Sequence, residues 1–235
     1  MKFKRWLRSR IVHWKEEYLP PLLMTVAAII LYIVLAVTKV SFANKEQIVF
    51  YVAIIWIPAL FYTLFYLRLP PLFKIIAYVF ATCSNLLATT LNVYAFVPFF
   101  DTILHTAFGY LGGYIGLYVL IKKKDLENIS LFTKLFFCFA LVGVVGVLWE
   151  VCEYTMDVLF AGNTQHAIET GVVDTMQDQF CNLVGGLIFV AHFLIDLLFV
   201  GNRYMSKVEK LLAVHAFEKP DYRPVLTKEN EKTEI

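Results

Sequence analysis

From Ile75 to Ile121, and again from Leu135 to Asn202, the sequence has neither lysine nor arginine. Charged residues make up 17% of the chain against 59% hydrophobic ones, an apolar share above that of a soluble domain. The basic residues sit at the edges of apolar runs and read as topology signals, so no nucleic-acid patch is expected. Cysteine is scarce as well. Cys83, Cys138, Cys152 and Cys181 lie in apolar runs without a C-x-x-C pair, which excludes a disulfide framework or thiolate metal knuckle and leaves small buried residues. The spacing leaves a Cys152–Cys181 bridge open. The sequence has no P-loop, dinucleotide fingerprint or nucleophile elbow, which removes the functions those motifs carry.

What is present is a series of six apolar runs, near residues 20–38, 47–67, 72–96, 103–121, 131–155 and 178–200. Each approaches or exceeds the ~20 residues that cross a bilayer. The run from Leu19 to Val37 matches a full span rather than the shorter core of a signal peptide. Pro20-Pro21 and Pro70-Pro71 open the first and third spans, where a missing N–H costs little, and Pro58 predicts a kink in the second. The expected fold is all-α: a polytopic membrane helix bundle of about six transmembrane helices.

The expected organisation has three parts. Residues 1–18 form a basic amphipathic interfacial segment, with Phe3, Trp6, Leu7, Ile11, Trp14 and Tyr18 at helical spacing. Residues 19–202 form the six-helix domain. Residues 203–235 form a tail that opens with a helical pattern and turns charged, and disordered, from Glu218. The basic N-terminus, Arg68 with Lys74, Lys122 to Lys124 with Lys134, and the tail from Arg203 all fall on one side. The positive-inside rule then makes both termini cytoplasmic.

The polar residues converge by periodicity. Asp101 and His105 share a face of the fourth span, followed by Gly109, Gly112 and Gly116. In the fifth, Gly143, Gly146, Glu150, Glu153 and Asp157 form one stripe. At 1.5 Å per residue Glu150 lies roughly 28 Å along that helix, close to the outer interface. In the sixth, Asp174, Asp178 and Asn182 align. Asn85, Thr89 and Asn92 add a stripe from the third, and Asp174 is also placed to cap the sixth helix. The loop with Gly162, Asn163, His166, Glu169 and Gly171 is placed to cover the site, with His166 read as an ordinary loop residue. Trp149 and the many Phe and Tyr read as lipid-facing or interfacial.

Carboxylates held within a few ångströms do not all ionise without compensation. With no basic residue at hand, the compensation is a bound cation or bound protons. An Asp/Glu/His set suits Mg²⁺, Mn²⁺, Ca²⁺, Zn²⁺ or Fe²⁺. The leading expectation is a divalent metal ion held by His105, Glu150, Glu153, Asp174 and Asp178, with Asp101, Asp157 and Asn182 orienting His105 or bridging water. Such a site, at headgroup depth, would act as a metal-dependent hydrolase or transferase on a lipid or lipid-linked envelope precursor. No catalytic residue is singled out. The alternatives are a proton- or cation-coupled transporter, with His192 and Asp196 as the inner end of a polar path, or a non-catalytic scaffold or sensor. For His192 and Asp196 a buried pair, or Asp196 reaching toward Arg203, is the plainer reading.

The motifs Asp101-x-x-x-His105-x-x-x-Gly109, Glu150-x-x-Glu153 and Gly171-x-x-Asp174-x-x-x-Asp178 resemble those of the YjdF-like family, over about residues 45–200. That resemblance implies a multi-pass protein of the bacterial cytoplasmic membrane with a shared polar site. Asp101-x-x-x-His105 and Asp178-x-x-x-Asn182-x-x-Gly185 are more distantly similar to the VanZ-like family, where Glu150-x-x-Glu153 replaces the Glu–Gln element of that family.

Overall fold

The computed structural model describes residues 13–40, 43, 45–65, 68–97, 99–123, 129–160, 165 and 167–216. Among them there is no strand, and six helical stretches are long and apolar enough to cross a membrane. Residues 1–12 of the expected surface helix, His166, and residues 217–235 of the tail lie outside the described residues.

A short turn, α1 (Trp14–Glu17), leads into α2 (Leu19–Thr38), which opens with Pro20 and Pro21 and ends at Lys39 in the left-handed conformation. The second span breaks into α3 (Ile48–Ile55) and α4 (Ile57–Phe65) at Trp56. Pro58 offers no N–H to the carbonyl of Ile54, so the ladder fails one turn before it. The Trp56 indole N–H donates to Thr25 Oγ1 (2.9 Å), pinning the break to α2.

The third span is α5 (Pro71–Ala81) continued as a π-helix over Thr82–Thr90. Its wide turns are consistent with hydroxyls competing for backbone carbonyls: Thr89 and Thr90 both donate to the Asn85 carbonyl, at 2.6 and 3.0 Å. The apolar run predicts a span reaching residue 96. The helix instead stops at Thr90, because Asn92 takes a left-handed conformation (φ 53°) before a 3₁₀ turn at Val93–Ala95, a backbone state asparagine tolerates. Asn92 therefore leaves the polar stripe expected of Asn85 and Thr89.

The last three spans are α6 (Phe100–Lys123), α7 (Leu131–Phe160) and α9 (Val173–Phe199), with α8 (Ala167–Thr170) between the last two. After a turn through Gly201 and Asn202, both at positive φ, α10 (Arg203–Ala216) lies against the bundle. Its Met205 and Leu212 are fully buried with Leu117, Phe189 and Phe193. The tail thus begins as a docked helix.

In a bilayer, helices associate through close packing rather than water exclusion. Here α6 and α9 approach until their backbones touch. A methyl at Gly109 would meet the Asn182 carbonyl oxygen at 1.9 Å, and one at Gly185 the Thr106 carbonyl oxygen at 2.0 Å. Gly116 lies close to Cys138 on α7 in the same way, with 2.7 Å from an added methyl to the Cys138 Cα. All four cysteines are free; Cys152 is exposed on α7 and Cys181 buried on α9.

At the end of the bundle carrying Lys122, Lys134 and Arg203, the basic residues do more than mark topology. Glu17 is 1% exposed and lies between Lys74 Nζ (2.8 Å) and Arg68 Nε (3.4 Å), while Arg68 also pairs with Glu16. A carboxylate so enclosed persists only when paired. Glu17→Gln should therefore lower stability by about 2 kcal/mol, read as a lower thermal unfolding midpoint in detergent. Glu16→Gln, at a side chain 56% exposed, should change it by less than about 1 kcal/mol.

Candidate metal centre

The opposite, acidic end is built where the close α6–α9 crossing brings two turns of helix face to face. One turn outward from Gly109 lies His105, and beyond it Asp101; across the contact Asp178 and Asn182 occupy α9. Glycine at the crossing is thus what lets side chains from both helices reach one point.

His105 Nε2 lies 3.5 Å from Asp101 Oδ1 and 3.6 Å from Asp178 Oδ2. These separations are long for hydrogen bonds. Two donors at ~2.1 Å from one tetrahedral ion are roughly 3.4 Å apart. Among the described residues this is the one group of three metal-ligating side chains whose donor atoms all lie within 4.8 Å of one another. The two carboxyls are also within hydrogen-bonding reach of each other. Facing carboxyls of this kind share a proton or a cation.

Several polar atoms at this end are buried without a hydrogen-bond partner: His105 Nδ1, Asp178 Oδ1, Glu150 Oε1, Gln179 Nε2 and both side-chain atoms of Asn182. Burial without a partner costs about 1–3 kcal/mol for each such group. Their concentration here marks a place where water or an ion completes the shell.

The other expected residues surround this triad. Glu150, Glu153 and Asp174 are near enough for their charges to act on one another and on the triad. Glu153 Oε1 accepts from the Trp149 indole at 2.8 Å. Val172 occupies the N-cap of α9, so Asp174 falls in its first turn instead of capping it, where an acid still favours the helix dipole. Asp157 accepts from the Gln165 backbone N–H at 3.0 Å. Tyr94, on the 3₁₀ turn, donates toward Asp101. Burial first, then the charge and hydrogen bond of Asp101, push its phenol far above the usual range, so it remains a donor.

Two features had no signal in the sequence. Gln165, an unremarked loop residue, reaches across α7 and α9: its Nε2 donates to the Glu150 carbonyl (3.2 Å), to Glu150 Oε2 (3.4 Å) and to Thr175 Oγ1 (3.3 Å). These bonds tie Gln165 to both helices; of the loop residues expected to cover the site, Gly162, Asn163 and His166 lie outside the described residues. The second is a cavity beside the triad, walled by Phe50, Phe80, Phe108 and Trp149. Asn85, Thr89, Tyr94, His105 and Glu153 also line it. Trp149, expected to face lipid, is half-buried in this wall.

His192 and Asp196 lie toward the basic end and do not form a pair by hydrogen bond. Tyr110 Oη lies 2.8 Å from His192 Nδ1 and 3.0 Å from Tyr114 Oη. Asp196 accepts from the backbone N–H groups of Tyr204 (3.1 Å) and Met205 (2.7 Å), acting as the N-terminal cap of α10. Asp196→Ala should then cost about 1 kcal/mol, and Asp196→Asn almost nothing, because asparagine caps as well as aspartate. Thermal unfolding of the two variants side by side checks this.

Fold and composition together define a multi-pass membrane protein with a buried Asp/His cluster at one end of its last helices. The chain matches, over residues 20–197, the family described as "Predicted membrane protein (DUF2238)", and it belongs to that family. No curated protein and no solved structure matches it.

Proposed function

We propose that the protein holds a divalent cation at its acidic end, bound by Asp101, His105 and Asp178, with Glu150 and Asp174 next in reach. The observation that carries this reading is the spacing of the triad. Two carboxylate oxygens stand 3.5 and 3.6 Å from one imidazole nitrogen, at the edge length of a coordination shell. The acidic end faces outward by the positive-inside rule, and the membrane is the bacterial cytoplasmic membrane implied by the YjdF-like resemblance. A cation there would activate water or polarise a phosphoryl or acyl group. At headgroup depth the substrate is a lipid or a lipid-linked envelope precursor. Asp157 and Asn182 steady the surroundings, Asp157 by fastening Gln165.

A coupled transporter is the second reading. The Tyr110–Tyr114–His192 hydrogen-bonded group favours it, and the use of Asp196 as a helix cap weighs against it. Metal content of the purified full-length protein, by mass spectrometry, tests the first reading. Near-stoichiometric metal in the wild type, lost in His105→Ala, supports it. Absence of metal after incubation with Mg²⁺, Mn²⁺ or Zn²⁺ overturns it.

A further inference from the structure

The docked helix α10 has two unlike faces. Met205 and Leu212 turn inward to Leu117, Phe189 and Phe193. Its only acid, Glu209, pairs with Lys134 of α7 at 3.3 Å. On the opposite side Arg203, Tyr204, Lys207, Lys210, Leu211 and Val214 are all exposed. At 3.6 residues per turn these six fall within about one third of the helix circumference. The outward face is thus cationic and apolar at once, with Tyr204 55% and Val214 70% exposed, and it carries no acid.

That combination narrows what can cover it. Water satisfies the three charges and leaves Tyr204, Leu211 and Val214 without apolar contact. A purely apolar partner covers those three and strands the charges. An anionic membrane surface meets both, with phosphates against the basic side chains and the acyl boundary against the apolar ones. The helix also starts at the right level. Asp196, about one turn before the end of α9, accepts the backbone N–H of Met205 at 2.7 Å, so α10 begins where a membrane span ends. We propose that the outward face of α10 binds anionic phospholipid headgroups of the leaflet at the basic end of the bundle. The inference does not require a metal at the acidic end.

Calorimetric titration of the full-length protein in maltoside detergent tests it. The probe is dioctanoyl phosphatidylglycerol, with dioctanoyl phosphatidylcholine as the neutral control and polyglutamate as an anionic polypeptide. The anionic lipid should bind at least about tenfold more tightly than the neutral one. Each basic residue at a membrane surface contributes about fivefold, so Lys207→Gln alone should weaken binding about fivefold, and Arg203→Gln, Lys207→Gln and Lys210→Gln together about a hundredfold. Arg203→Lys, Lys207→Arg and Lys210→Arg together keep the charges and should stay within about threefold of wild type. The proposal fails if the two lipids bind alike, if the glutamine variants keep wild-type affinity, or if the charge-keeping variant loses as much as the triple glutamine variant. Polyglutamate binding more tightly than the anionic lipid would assign the face to an acidic polypeptide and overturn it as well.

Discussion

Asp178→Asn is expected to lower the affinity for divalent cations at least about a hundredfold without unfolding the protein. Loss of a group that merely supports a ligand costs about 10–100-fold, and Asp178, 3.6 Å from His105 Nε2, is proposed as a ligand itself. Asparagine keeps the volume and one oxygen but removes the charge. In the metal-free protein that removal costs little, since Asp178 lies 3% exposed against the Asp101 carboxyl and two facing carboxyls share a proton rather than both carrying charge. The metal-free variant should therefore unfold at nearly the same temperature as metal-free wild type. Added Mn²⁺ or Zn²⁺ should raise the wild-type midpoint, by an amount equivalent to roughly 2.7 kcal/mol at a hundredfold excess over the dissociation constant, and leave the variant unmoved. An equal metal response in both proteins would remove Asp178 from the site.

Gly185→Ala should destabilise the bundle by about 3 kcal/mol and weaken the metal site with it. The added methyl would lie 2.0 Å from the Thr106 carbonyl oxygen and 2.7 Å from the Tyr110 nitrogen. Both are backbone atoms of α6, so no side chain can rotate away and the helices must separate; overpacking of this kind costs about 1–3 kcal/mol or more. Gly143→Ala is the control. Its nearest neighbour would be Leu183 Cδ2 at 3.8 Å, an ordinary contact, and alanine gains up to about 1 kcal/mol over glycine in a helix. The separation caused at Gly185 moves Asp178 away from His105, so metal affinity should fall although Gly185 touches no donor atom. Thermal unfolding and metal titration of the two variants read both effects. A Gly185→Ala protein as stable as Gly143→Ala would show that the α6–α9 contact does not set the site.

The helices, and which polar residues share a face, are legible in the chain itself. Hydropathy over six runs reports spans because a lipid-exposed backbone must satisfy its own hydrogen bonds. A 3.6-residue period puts Asp101 with His105, and Asp178 with Asn182, on common faces. The periodicity of one helix says nothing about which faces meet. The α6–α9 contact that turns two aspartates toward one imidazole is a property of the packed pair, as are the aromatic cavity and the span of Gln165 between α7 and α9. Periodicity misplaces Asn92 because a period assumes an unbroken helix, and Asp196 becomes a cap because its partners, Tyr204 and Met205, belong to the next helix.

The sequence by itself determined that this chain crosses a membrane several times and carries acids where no basic residue follows them, because apolar length and charge distribution are properties of the chain alone. Only the tertiary structure decided which acids face one another. Side chains far apart in sequence become neighbours through backbone approach at Gly109 and Gly185, and the packing of those two helices sets that approach.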